Sequence, residues 1–222
     1  MALLLADGSL VSYRSPSGGY VQLTLTAGIR QSAFLEEKVE EFCQFIPTKA
    51  QIVHYRSSPR CNGKTSPCLR FRVSTEKLRP IYNLLYPAKQ RRITPAALAM
   101  LGAQAAAWLW AEGAKADPVG GAELGRVGCT TEEAQLIQQW LSMLTGAEAI
   151  DLDMALRRPR LIYTPTQATK IRQALLPYAP RTRKHLFCDD SWDVAAVRSA
   201  RTELLLGAGR AGSQGIKASA LA

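Results

Sequence analysis

Ala107-Trp108-Leu109-Trp110-Ala111-Glu112-Gly113 brings an apolar helical run to an end on an acid followed by glycine. A stretch of the same kind, Leu3-Leu4-Leu5-Ala6-Asp7-Gly8, stands near the start of the chain. An acid at a helix C-terminus opposes the helix dipole, so two of them at matched places point to a purpose. Gly102, Ala103, Ala105, Ala106 and Ala107 line the second run. Such small side chains let two helix backbones approach closely. The two runs are therefore expected to pack face to face, with Asp7 and Glu112 side by side. Adjacent carboxylates repel unless a cation lies between them, and hard divalent cations take oxygen ligands. Over a nucleic-acid groove, that pair is a constellation for metal-assisted phosphodiester hydrolysis.

Each run is followed by the same succession of elements. Val21, Leu23 and Leu25 alternate with Gln22, Thr24 and Thr26, and Leu69, Phe71 and Val73 alternate with Arg70 and Arg72. Later, Ile150, Leu152, Met154 and Leu156 alternate with Asp151, Asp153 and Arg157. A period of two marks a strand with one buried face. Shorter runs at 11–14, 51–56 and 161–163 read as antiparallel partners. Phe34, Leu35, Val39, Phe42, Cys43 and Ile46 recur at helical spacing, with Glu36, Glu37, Glu40 and Glu41 expected outward. Ala134, Ile137, Trp140, Leu141 and Leu144 repeat that pattern after a capping box, Thr130 with Glu133. Further helices are expected over 76–86 and 165–176. One long helix is expected from Thr94-Pro95 to Glu112-Gly113, with proline at its first turn.

The succession motif helix, hairpin, helix, hairpin, helix thus occurs twice, and internal repetition of this kind decides the fold. The expected class is α+β: two tandem αββαββ units about a pseudo-two-fold axis, with saddle-shaped antiparallel sheets and packed central motif helices. The units span 1–93 and 94–188. Residues 189–222 form a tail, with one possible helix over 191–206 and then a Gly/Ala/Ser-rich arm.

The net charge of +10 points to a polyanionic partner. Residues 8–92 carry 14 Lys and Arg against 5 acids, whereas 113–188 carry 10 against 7, so the first unit is the electrostatic half. The 5 cysteines are scattered without CxxC spacing, which supports neither a zinc site nor a disulfide framework. An intracellular, reducing compartment follows, either an organelle (mitochondrion or chloroplast) or a bacterial or phage cytoplasm. No secretory leader is expected, because the apolar opening meets Asp7 without a basic stretch before it. The longest apolar stretch, 96–111, is broken by Gln104 and too short to span a bilayer, so no membrane partner is expected.

The ordered landmarks resemble the single-chain, two-repeat form of the LAGLIDADG homing endonuclease family. They are Leu4-Leu5-Ala6-Asp7-Gly8-Ser9-Leu10, the strand at 23–26 feeding the helix at 34–42, and Leu85-Tyr86-Pro87 before a basic cluster. Thr94-Pro95-Ala96-Ala97-Leu98-Ala99, the stretch Trp108 to Gly113 and Leu176-Pro177-Tyr178 complete the set. The resemblance implies that Asp7 and Glu112 are the metal ligands, for Mg2+ or Mn2+. It implies basic residues near the two centres, matched by Arg91 (or Lys89) and Lys184, and a water-orienting polar residue, matched by Thr26 in unit one. The corresponding position in unit two is Val127, which cannot orient water. The second motif also carries Ala111 where the family has an acid, only six residues precede Asp7, and Asp151 and Asp153 fall on the face that should meet phosphates. These departures bear on cleavage more than on binding.

The residues expected to touch nucleic acid are Gln22, Thr24, Arg56, Lys64, Arg70, Arg72, Lys89, Arg91, Arg92 and Arg157. Singly, Asp7 and Glu112 also read as ordinary helix-end acids, and Arg70 and Arg72 as a solvated strand face. Within 49–92, however, 11 basic residues face a single acid, Glu76, which favours a phosphate-facing surface. Trp108 and Trp110 read as core, and His54 and His185 are too far apart in sequence for a metal site. Two functions remain. The preferred one is a monomeric, metal-dependent, site-specific endonuclease of double-stranded DNA. The alternative is a catalytically inactive RNA-binding derivative, an intron splicing maturase or an organellar ribonucleoprotein or ribosome component, which holds structured RNA and needs no cofactor.

Overall fold

A computed structural model describes residues 2–5, 8–15, 18–56, 66–116, 121–125, 129–153 and 159–188. Asp7, Lys64, Val127, Arg157, Met154, Leu156, Cys61 and the tail from 189 lie outside the described residues. The elements run α1 (Ala2–Leu5), β1 (Ser9–Ser15), β2 (Gly18–Gly28), α2 (Ser32–Phe45), β3 (Ile52–Arg56), β4 (Pro67–Thr75) and α3 (Arg79–Leu85). After α4 (Pro95–Ala99) the order repeats as α5 (Ala103–Gly113), β5 (Ala114–Ala116), β6 (Ala122–Leu124), α6 (Thr131–Thr145), β7 (Asp151–Asp153), β8 (Arg160–Tyr163) and α7 (Pro165–Leu175).

The two antiparallel sheets have the same topology, β1-β2-β4-β3 and β5-β6-β8-β7. Alternation sets which face of each is buried. Val21, Leu23 and Leu25 on β2 and Leu69, Phe71 and Val73 on β4 turn inward, in register as Leu23 opposite Val73 and Leu25 opposite Phe71. In the second sheet Ala122, Leu124, Leu161 and Tyr163 do the same. The expected class, α+β with two tandem units, is the observed one.

At the centre α1 packs against α5. Ala105, Ala106, Ala107 and Ala111 are buried there with Leu3, Leu4 and Leu5, as the small-residue stripe requires. The glycines after the motif acids make room for close neighbours within their own units. A Cβ on Gly8 would stand 2.7 Å from the Leu3 carbonyl oxygen, and one on Gly113 would stand 2.9 Å from the Leu124 side chain. Trp108 stacks on Phe34 with ring centroids 5.5 Å apart, and Trp110 meets Tyr163 edge-on at 5.7 Å. Both tryptophans are core, as expected.

Two expectations are corrected. The single helix from Thr94 to Gly113 is two helices, broken at Gly102, whose backbone is extended. The Trp140 indole N–H donates to the Leu101 carbonyl at 3.0 Å, using an oxygen that the break sets free. Glu37, expected outward on α2, is buried. Its Oε1 accepts the Arg181 N–H at 2.6 Å, and its Oε2 accepts the Thr182 N–H at 2.9 Å and hydroxyl at 2.6 Å. Burial works to raise this carboxyl, but the Thr182 and Arg181 bonds outweigh it and leave it below the ordinary carboxylate range.

A counterpart exists in the other half. Glu133 completes the expected capping box with Thr130 on α6. The same carboxylate accepts the Ile93 N–H at 2.9 Å, in the segment between α3 and α4. Each half thus offers a buried glutamate to backbone from the other. Beside this second clamp, burial pushes the Cys129 thiol up to about 11, and the Glu133 charge adds to the shift. Among the described residues, no helix is long and apolar enough to cross a membrane.

Candidate functional site

The outer face of the first sheet follows from the same alternation that builds its core. Register places Val11 opposite Gln22, Tyr13 opposite Tyr20, Thr24 opposite Arg72, Thr26 opposite Arg70, and Arg70 again opposite Val53. Gln22, Thr24 and Thr26 are half-buried, and Arg72 is exposed. The Gln22 amide donates to the Ser74 hydroxyl at 3.1 Å. The Arg70 guanidinium lies over the Tyr55 ring, 4.5 Å from its centroid, which holds a charged group flat against the strand. This face therefore presents polar and cationic groups in two adjacent rows. Arg56 is one residue out of step with Val53 and Tyr55, so it is exposed on the opposite parity from Arg70.

At one end of that face lies the motif centre. Glu112 occupies the last turn of α5, with Gly113 behind it. Its carboxylate forms an ion pair with the Lys38 ammonium of α2, and both side chains are buried. Thr26, Gln31, Phe34, Lys38, Glu112 and Arg183 line a cleft of about 20 Å³ there, roughly the room one water needs. Lys38 Nζ stands 4.6 Å from the Phe34 ring centroid, and the Arg183 guanidinium carbon stands 4.8 Å from it. The fold thus brings Thr26 and Glu112 together.

The other expected basic residues fall differently. Lys184 is exposed, while its neighbour Arg183 lines the Glu112 cleft. Both belong to the 3-10 turn Arg181–Phe187, in which successive side chains diverge by a third of a turn. Arg91 donates to the carbonyl of Leu5 and so caps the end of α1, where a cation complements the dipole. Lys89 is exposed in a left-handed conformation, φ 65°, and Arg92 is exposed.

Sequence reasoning does not single out Lys38, Gln31 or Arg183. Lys38 carries a signal, because it sits one turn after Phe34 and one turn before Phe42, on the inward stripe of an amphipathic helix. For Arg183 nothing in the local pattern distinguishes it from Lys184.

The second sheet presents a different surface. The Arg160 guanidinium is ion-paired with Glu123 at 2.7 Å, across the register that sets Glu123 opposite Ile162. Asp151 is exposed opposite Ile162 on the far side of β8, and Asp153 pairs in register with Arg160. Lys115 on β5 is exposed opposite Glu123.

No protein-family model and no curated protein matches the sequence. Solved structures do match its fold. A structure of mesophilic variants of the homing endonuclease I-DmoI aligns with a TM-score of 0.52 at 12% identity, covering 79% of this chain and 92% of that one. I-DmoI in complex with DNA and Mn aligns with a TM-score of 0.52 at 14% identity, over 78% and 92%. A variant of I-DmoI with its target DNA in the presence of Mn aligns with a TM-score of 0.53 at 12% identity, over 83% and 93%. The repeat read from the motifs and the fold over roughly four-fifths of the chain therefore agree: this protein has the two-unit fold of a single-chain LAGLIDADG homing endonuclease.

Proposed function

We propose that this chain is a monomeric duplex-DNA-binding protein whose first sheet lies in the major groove. The supporting observation is the outer face of that sheet, where Gln22, Thr24 and Thr26 run beside Arg70 and Arg72 on strands of 11 and 9 residues. The major groove of B-DNA, about 12 Å wide, admits a two-stranded ribbon, and alternate side chains then meet base edges and phosphates. The major groove of duplex RNA is too deep and narrow to admit one. The likeness to I-DmoI, solved with DNA, supports the same partner. The recognition units are 1–93 and 94–188.

Metal-dependent cleavage of that DNA is the finer reading, and the presence of Mn in the I-DmoI structures supports it. It requires Glu112 as a ligand of Mg2+ or Mn2+. Its carboxylate is already ion-paired with Lys38, so binding ranks above cutting for this chain. Selection from a randomised duplex library, with structured RNA of equal charge as competitor, tests the proposal. An enriched duplex sequence is the expected result, with affinity falling steeply as salt rises. RNA bound as tightly as any duplex would overturn it. Cutting of the selected duplex in Mg2+ would restore the enzyme reading.

A further inference from the structure

A lysine on the inward stripe of an amphipathic helix must bury its charge or extend its stem out to solvent. Lys38 does the former: it is 4% exposed, with its ammonium on Glu112 Oε1 and within reach of the Phe34 ring. Burying two opposite charges holds only while they stay paired. A divalent cation at Glu112 would need that carboxylate together with about five further oxygens or waters. Among the described residues, no group of three or more His, Cys, Asp or Glu could hold a metal ion. The cleft has room for about one water, whereas Mg2+ keeps several. Arg183 adds a second positive charge to the same cleft. The described residues around Glu112, which do not include Asp7, do not fit the metal that the fold implies.

We infer that Lys38 takes the place of the divalent cation at the Glu112 centre. The end of α5 is neutralised from within the chain, and the Glu112 centre is complete without metal. This exchange concerns the Glu112 centre alone and is independent of what the sheets bind. It also accounts for α2 carrying a lysine where its periodicity calls for an apolar residue.

Paramagnetic broadening by Mn2+, read on the backbone amides of the full chain, tests this directly. In the unsubstituted protein the amides of 110–114 should stay sharp at millimolar Mn2+. Lys38→Met keeps the length of the stem and removes the charge. It leaves the Glu112 carboxylate buried without its counter-charge, so the midpoint of chemical denaturation should fall clearly. Adding Glu112→Gln to that variant should recover most of the loss, because no unpaired charge is then buried. Selective broadening of 110–114 in the unsubstituted protein would overturn the inference. So would a Lys38→Met variant as stable as the unsubstituted protein. If Lys38→Met does not fold, the unsubstituted protein decides the matter alone: sharp amides at 110–114 support the exchange and broadened ones refute it.

Discussion

The two sheets share one topology and differ in nearly everything that faces outward. The strands of the first have 7, 11, 5 and 9 residues, and those of the second have 3, 3, 3 and 4. On the first, Arg70 and Arg72 stand among polar neighbours, with no acid in register beside them among the described residues. On the second, Arg160 is neutralised by Glu123, and Asp151 is exposed. Inward, both keep the same alternation of aliphatic and aromatic residues. Architecture therefore resides in the buried faces, which the repeat preserves. The difference resides in the outer faces, where, among the described residues, the adjacent arginines without an acid in register stand on the first sheet.

The largest effect should come from the buried side of the long sheet. Phe71 is fully buried and meets Phe42 edge-on at 5.7 Å. Phe71→Ala should cost about 3–5 kcal/mol by chemical denaturation. A loss under ~1 kcal/mol would mean that the first sheet does not anchor the core. Next comes the outer contrast. Arg70→Gln with Arg72→Gln should weaken duplex binding and lower the slope of log affinity against log salt by about 0.9 for each phosphate that is no longer neutralised. Asp151→Asn in the second sheet should move non-specific affinity the other way, by roughly twofold to fivefold, as expected for one unit charge near phosphate in water. An unchanged salt slope in the double arginine variant would erase the distinction between the two faces.

Smaller effects sharpen the comparison at the joint and in the second core. Glu37 is held below the ordinary carboxylate range. Its contribution is therefore complete above the ordinary carboxylate pKa and is lost as pH falls through the lowered value. Glu37→Gln should cost roughly 1.5 kcal/mol near neutrality and flatten the acid limb of the stability–pH curve. An acid limb unaltered by the substitution would show that the clamp contributes nothing. The smallest effect is expected at Tyr163, whose buried hydroxyl has no hydrogen-bond partner among the described residues and is pushed up strongly by burial. Tyr163→Phe removes an unsatisfied polar group, so stability should be unchanged or slightly higher. A clear loss would reveal a hydrogen bond at that hydroxyl.

The order of elements is legible in the sequence because its determinants are local. Strand alternation, the Thr130–Glu133 capping box and the acid–glycine pairs each lie within a few residues of one another. The break at Gly102 is not legible, because one glycine inside a helical pattern is often tolerated. Tertiary packing, including the Trp140 bond to Leu101, decides it. The candidate site is less legible. Thr26, matched in the sequence to the centre of the first unit, lines the cleft of Glu112 instead, and Glu112 pairs with Lys38, 74 residues away, which pattern cannot foresee. Glu37 escapes pattern for the same reason, since its partners come from beyond α7. A polar residue on a helix shows which way it faces only when the element covering it is known.

Glu37 ties α2 to the turn after α7, and Glu133 ties α6 to the segment after α3. Each unit thus holds backbone at the end of the other, and a hinge between them would have to break both clamps as well as the Lys38–Glu112 pair. A protein jointed this way should behave as a caliper with a stiff joint. On duplex DNA such a caliper should forgive a changed base more readily than an inserted one. Insertion turns the second half of the site by about a tenth of a helical turn and shifts it along the axis by about 3.4 Å, and the two clamps oppose the movement between units that following it would need.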